Sequence, residues 1–362
     1  MDDRLIDGDR LGIVRTSLLP GEGFFVPDSF EAAREDEQAR EALEAAKTAV
    51  VADPDADGLA CVALIREAHD DVGLVPTSPH DLADGLARAA EYGEDGIEVF
   101  VCDLCPDEYE RIAGPLDALV EHAESVRWFD HHQWDDAVAD SVRAAGVDLV
   151  VGDGERECTA DVAVRALETD FPRRLEELAA VTRDHDLWIK DDPRSDDLSD
   201  FSRWSEDDEE YVDVVYEHGP DLPEEVLDML AERRERKDAL IDLAVERAEY
   251  EEIGPWTVGV TYGRCSQNEV AEGMRQRGAD ASVVVKPSGP ASIRGTENFE
   301  RAHEVAGQVN GGGHPRAAGC KPDVYDDMLD YAHHWTTQGA VTKQVILDAF
   351  RNIAPDEDEK DQ

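Results

Sequence analysis

Three short clusters of carboxylates and imidazoles have the spacing to do chemistry. Asp53, Asp55 and Asp57 alternate in DPDADG, Asp103 closes VFVCD, and Asp130, His131 and His132 close WFDHH. Asp184 and Asp186 follow in TRDHD. Alternating carboxylates ahead of Gly58 fit an extended strand breaking into a turn, where several side chains converge. Carboxylates gathered in one crevice repel each other unless cations sit among them. Oxygen ligands plus imidazole, without thiolate, suit Mn(II) or Mg(II). Two such ions, about 3.5–4 Å apart, clamp a phosphoryl group and activate water for attack on it. The chemistry these residue types point to is hydrolysis of a phosphoester.

Each cluster ends an apolar run. TAVVAD, IEVFVCD and VRWFD read as buried parallel strands, and VDLVVGD continues the series. The helical patterns GLACVALIREAH, DEYERIAGPLDALVEHA and TADVAVRALE alternate with them, and residues 30–46 form an acidic helix ahead of them. This βαβ rhythm predicts an open parallel sheet. The clusters then fall at its carboxyl edge, where such sheets place their ligands. Residues 195–225 turn polar and read as a linker, and 223–253 as one long connecting helix. A second α/β unit follows, with WTVGVTYG, ASVVVKP and ASIRG as strands, NEVAEGMRQRG and ENFERAHEVAGQV as helices and NGGGHPRAAGC as a glycine-rich loop. One helix over 325–353 ends it. The expected organisation is a metal-binding domain over 1–195, a linker and connecting helix over 196–252, a substrate-binding domain over 253–353 and an acidic tail over 354–362.

Composition narrows the class. With 362 residues and 41% apolar content, the chain has material for two folded domains. No apolar run reaches the ~20 residues that span a bilayer, and the first ten residues lack the pattern of a secretory leader. A cytoplasmic location without membrane attachment is expected. The six cysteines are too few for a disulfide framework. Cys102 and Cys105 have CxxC spacing with no second pair to complete a zinc set, so packing is expected of them.

The charge of −51, from 86 acidic and 35 basic residues, is spread over every segment. Such a surface suits a cytoplasm of very high salt, where self-repulsion is screened. The charge therefore does not exclude nucleic acid. Thermal melts across a KCl series are expected to show stability rising toward molar salt; a flat or falling melting temperature would contradict the halophilic reading.

DPDADG, VFVCDLC, WFDHH and AAVTRD resemble the four motifs of the DHH phosphoesterase superfamily, and SIRG with NGGGHPRAAG resembles its DHH-associated domain. The likeness runs from Thr48 to Cys320. It implies an α/β fold, a parallel-sheet DHH domain plus a smaller α/β DHH-associated domain, with an active-site cleft between them. It implies that Asp55 binds one metal ion, Asp57 the other, and Asp103 both. His131 would bind the second ion, with Asp130 orienting the histidines and His132 meeting the substrate phosphate. Asp184 would complete the second ion's set, with Asp186 as the alternative. Arg294 and His314 match positions that grip substrate, with the N–H groups of Gly311, Gly312 and Gly313 aimed at an anion. Many family members carry a metal-binding His where this chain has Val51, while some RecJ-type exonucleases have an apolar residue there with an Asp at the Asp53 position; Asp53 either ligates in place of the His or supports from outside.

The implied cofactors are two divalent cations, Mn(II) in preference to Mg(II). The DPDADG form resembles the RecJ-like branch, exonucleases on single-stranded DNA or RNA. The alternatives are a phosphodiesterase for short oligoribonucleotides, pAp or cyclic dinucleotides, and a replication-associated protein that binds the GINS complex. Partners are single-stranded nucleic acid or a short oligonucleotide, with replication or repair proteins beside them; oligomeric state is left open. Arg316, beside the glycine-rich loop, is a candidate for bidentate phosphate contact, Ser266 and Asn268 are candidate phosphate donors, and Trp128, Trp134 and Trp188 either stack on bases or pack beside the site.

Overall fold

The computed structural model describes residues 28–355 except 264–265 and 325–327. The segment read for a leader, and the acidic tail beyond its first two residues, lie outside the described residues. The chain divides into two compact units, the first running to Leu230 and the second starting at Ala231.

The first unit is built on β1 (Thr48–Ala52), β2 (Val72–Pro76), β3 (Glu98–Cys102), β4 (Ser125–Asp130) and β5 (Asp148–Val151). They form one parallel sheet in the order β2-β1-β3-β4-β5. Period-two alternation divides the apolar side chains between two faces. Val50, Ala52, Phe100 and Phe129 join one core, and Ala49, Val51, Val99 and Trp128 the other. Helices α1 (Asp28–Leu43), α3 (Leu82–Tyr92), α4 (Tyr109–His122) and α5 (Asp136–Ala144) supply the second core. The first core is closed by α2 (Ala56–Ala68), α6 (Thr159–Ala166) and α7 (Arg173–Asp186).

β2 was not expected. VGLVP is short, and its Gly and Pro weaken the strand signal. Residues 196–218, expected as linker, instead fold into α8 (Arg194–Trp204) and α9 (Asp208–His218). Between their charges, Leu198, Phe201, Tyr211, Val212 and Val215 are fully buried in the first core. The acidic outer faces hid a sparse helical stripe.

The connecting helix is α10 (Glu224–Glu246), shorter than expected because Glu249–Ile253 becomes strand β6. The second unit adds β7 (Trp256–Tyr262), β8 (Ala281–Val285), β9 (Ala291–Gly295), β10 (Gly311–His314) and β11 (Ala317–Cys320), in the order β10-β11-β9-β8-β7-β6. Only the β7–β8 pair is parallel. Helices α11 (Gln267–Gln276), α12 (Ala302–Gly307), α13 (Met328–Thr336) and α14 (Ala340–Ile353) complete it. The last two were expected as one helix; Gly339, at φ 70°, breaks it. The glycine-rich loop is strand β10, at the sheet's edge. A Cβ on Gly311 would lie 2.1 Å from the Gly319 carbonyl oxygen, so glycine is what lets the two strands approach.

At Gly58 the first unit makes a second close approach. A Cβ there would meet the Asp53 carbonyl oxygen at 2.2 Å. Both groups are backbone and neither can swing away. Gly58→Ala is therefore expected to cost roughly 1–3 kcal/mol or more, read as a lower melting temperature; an unchanged melt would show that the turn relaxes freely.

Candidate metal centre

The strand order 2-1-3-4-5 reverses between β1 and β3, and crevices outside the carboxyl ends of such a pair receive ligands. Asp53 directly follows β1 and Asp103 directly follows β3. Asp53 N–H donates to the Cys102 carbonyl at 3.3 Å, and Asp103 N–H to that of Phe129 at 3.1 Å. The strand ends are thus pinned to one another. Asp103 sits in the left-handed region at φ 61°. Aspartate tolerates that conformation better than most residues, and it lets the carboxylate turn back over the sheet edge.

Asp55 is the N-cap of α2, its Oδ1 accepting the N–H groups of Asp57 at 2.9 Å and Gly58 at 3.0 Å. Asp57 is 1% exposed. Its two oxygens accept the Thr159 and Ala160 N–H groups at 2.7 and 2.8 Å, at the positive end of α6. The Thr159 hydroxyl donates to Asp103 Oδ1 at 2.7 Å. Thr159 was not singled out from sequence; its only signal was its place at the start of a helix following a strand.

Asp130 closes β4, fully buried. Its Oδ1 accepts the His131 and His132 N–H groups at 2.6 and 2.8 Å and lies 2.7 Å from His132 Nδ1. One carboxylate oxygen therefore fixes the backbone of both histidines and the imidazole of His132. His131 Nε2 lies at ion-pair distance from three carboxylates, 3.3 Å from Asp186 Oδ2, 3.7 Å from Asp103 Oδ1 and 3.9 Å from Asp57 Oδ2. His132 Nδ1 lies 3.7 Å from Asp103 Oδ1.

Three sets of donor atoms each lie within 4.8 Å of one another: Asp53, Asp55 and Asp103; Asp103, His131 and His132; Asp57, His131 and Asp186. Asp103 belongs to two of these sets, and so does His131. Asp186 is brought to the cluster and Asp184 is not. Asp184 is buried with its oxygens accepting the N–H groups of Asp191 and Asp192 at 2.9 and 3.2 Å. The two residues are two apart on α7, so they face different sides of the helix.

The residues present fit divalent cations. Burial, then the Asp55 charge, pushes Asp53 up to about 7. Burial, then the Asp186 charge, pushes Asp57 up to about 8. Burial and the neighbouring Asp57 raise Asp103 well above the carboxylate range, and burial raises Asp186. His132 is raised by its hydrogen bond to Asp130. Among the described residues, the ion-pair partners of these carboxylates are His131 and His132 alone. Asp130 Oδ2, His131 Nδ1, Asp186 Oδ2 and the Tyr211 hydroxyl are buried without a hydrogen-bond partner. Oxygen-rich, crowded and under-compensated, this set matches hard divalent cations. Tyr211, on α9, was missed because its segment read as linker.

Other candidates separate. Trp128 is fully buried and donates to the Leu104 carbonyl at 2.8 Å, with Trp134 edge-on to it. Trp188 is 75% exposed. Cys102 is buried in β3, and Cys105 lies 3.9 Å from the Gln133 carbonyl. In the second unit, Arg294 Nε donates to Asn268 Oδ1 at 2.8 Å, Ser266 caps α11, and Arg316 is held by Glu300 at 2.6 Å. Gly311, Gly312, Gly313 and His314 are exposed along β10.

No protein-family model and no curated protein matches the sequence. Among solved structures, the chain is similar to the DHH domain of a member of a family of ribosomal proteins, with 12% identity, 97% of each chain covered and a TM-score of 0.47. It is similar to PggH, a pGpG-specific phosphodiesterase from Vibrio cholerae, with 13% identity, 83% of this chain and 100% of that one covered, and a TM-score of 0.47. It is also similar to RecJ from Thermus thermophilus in complex with Mn2+, with 17% identity, 94% of this chain and 56% of that one covered, and a TM-score of 0.45. No helix among the described residues is long and apolar enough to cross a membrane.

Proposed function

We propose that this chain is a divalent-metal-dependent phosphodiesterase of the DHH type, acting as a RecJ-like exonuclease on single-stranded DNA or RNA. The observation that carries the reading is the shared placement of Asp103 and His131 among the three donor sets. A carboxylate common to two sets can bridge a pair of cations, while the one lone pair of His131 Nε2 serves one of them. Asp53, Asp55, Asp57, Asp103, His131 and Asp186 would hold the ions. Bound there, two divalent cations supply the Lewis acidity and the activated nucleophile for cleaving a phosphodiester.

The remaining work falls to the chain's own groups. Asp130 holds His132 protonated longer than a free imidazole, which suits contact with an anionic phosphate oxygen. Thr159 fixes the rotamer of Asp103. In the second unit, Arg294 and the β10 N–H groups not taken up by β11 are the donors for the substrate's anionic end.

Substrate length follows from charge. Each phosphate contact along a strand gains affinity by releasing counterions, and that gain shrinks steeply as salt rises. With a chain charge of −51, a long electrostatic track contributes little. Single strands are therefore expected to be cut and duplex spared, with affinity levelling off within a few nucleotides of the cut end. The test is digestion of labelled DNA and RNA, from dinucleotide to about twenty nucleotides, in Mn(II) and high KCl. Efficiency that climbs steadily with length would mean an extended binding track. Turnover of dinucleotides or cyclic dinucleotides alone would replace the exonuclease by a small-substrate phosphodiesterase.

A further inference from the structure

The loop after α7 is built with more care than a connection requires. Asp184 anchors it from inside. Its carbonyl accepts the Ile189 and Lys190 N–H groups at 2.9 and 3.2 Å, while its carboxylate accepts those of Asp191 and Asp192. Trp188 N–H donates to the His185 carbonyl at 2.9 Å. Within this frame Trp188 stands at φ 56° and Lys190 at φ 61°. A positive φ is uncommon for any residue but glycine and an outlier for a bulky one. Such strain persists only where the surroundings impose it, and it concentrates at functional sites.

The strained backbone presents the largest side chain to solvent. Trp188 is 75% exposed, whereas Trp128 is fully buried. The indole is nonetheless held in place. Lys190 Nζ lies 4.4 Å from the ring centroid, and the His185 ring packs edge-on with centroids 6.1 Å apart. Lys190 is in turn tied to Asp196 and, at 2.7 Å, to His185 Nδ1. His185 also lines a cavity of about 60 Å³ with Asp55, Asp57 and Asp186. A fixed aromatic face therefore adjoins the carboxylate cluster, one packed side chain away.

Resting on the phosphodiesterase reading above, we propose that Trp188 is the platform on which the nucleobase next to the scissile phosphate stacks, so that the substrate class is esters carrying a base at that position. Indole faces attract bases with little regard to sequence. A protein partner would instead want a broad apolar patch, and here the apolar neighbours along the chain, half-buried Leu187 and exposed Ile189, are closed off by Asp186 on one side and by Lys190, Asp191 and Asp192 on the other.

The test compares wild type, Trp188→Ala and Trp188→Phe on a dinucleotide and on the same ester with the base nearest the cut removed. Trp188→Ala should raise KM on the base-bearing ester about 5- to 150-fold, with kcat little changed and Trp188→Phe recovering most of the loss. KM on the abasic ester should not move. Equal losses on both esters, or none on either, overturn the platform. Wild type inactive on both esters overturns the phosphodiesterase reading instead. In that case quenching of tryptophan fluorescence by AMP with Mg(II) decides: binding lost in Trp188→Ala upholds the platform, and quenching that survives the substitution or never occurs refutes it.

Discussion

Asp103→Asn is expected to lower kcat on a phosphodiester on the order of a thousandfold or more while leaving the metal-free protein as stable as before or more so. Both halves follow from the same geometry. Asp103 is 3% exposed, at φ 61°, with Thr159 donating to its Oδ1 at 2.7 Å. Asparagine accepts the left-handed conformation and keeps an oxygen for that hydroxyl. What it removes is the ability to ionise, at a site where burial and then Asp57, Asp55 and Asp130 already hold the carboxyl well above the carboxylate range. Without cations the amide replaces a carboxyl that is held protonated, and ends the repulsion that its ionisation would bring; with cations it deletes an ionised donor common to two sets. Kinetics and metal-free melting of one variant read both. The neighbouring pair on α7 gives the opposite contrast. Asp186→Asn should lose activity and keep its melt. Asp184→Asn should melt earlier, because one backbone N–H then faces an amide NH2 instead of an oxygen. An active Asp103→Asn enzyme would remove the paired-cation reading.

The first domain's central layer was legible because parallel strands announce themselves. TAVVA, EVFVC and SVRWFD are apolar on both faces, as a sheet covered on both sides requires, and each runs directly into its acidic cluster. What escaped was set by context. VGLVP becomes a strand because β1 offers it a free edge, not because its residues demand it. The 196–218 segment carries so many carboxylates that its buried stripe, Leu198, Phe201, Tyr211, Val212 and Val215, is diluted. In a chain of this charge the polar face of a helix and a linker look alike. The choice between Asp184 and Asp186 depends on the phase of α7, where a shift of two residues turns the side chain through most of a half-turn. Motif spacing alone does not fix that phase. In the fold Asp184 braces the loop that carries Trp188.

The second large effect is on stability. In the cation-free fold Asp57 titrates at about 8 and Asp53 at about 7, against 3.8 for an ordinary aspartate. Between those values the folded chain binds more protons than the unfolded one, so stability falls as pH rises. Each group's contribution is complete below its unfolded value and lost as pH passes its folded one. For fully buried Asp57 the slope approaches about 1.4 kcal/mol per pH unit; for half-buried Asp53 solvent screening makes it smaller. Ordinary carboxylates are ionised above about pH 5.5, and His185 and His334, lowered by burial from 6.5, oppose the fall only up to about that ordinary imidazole value. His132, raised by Asp130, acts in the same direction as Asp53 and Asp57, since its added proton is also lost as pH rises. A divalent cation reverses the trend. It binds the deprotonated carboxylates, releasing protons, and its affinity for the fold grows with pH. Melting temperature with EDTA should therefore fall from pH 6 to 8 at constant KCl. The increment added by Mn(II) should widen over the same interval, and Asp57→Asn should flatten both curves. Parallel curves with and without Mn(II) would mean that protons and cations do not compete for this cluster, and that its crowded carboxylates are compensated by something other than a metal.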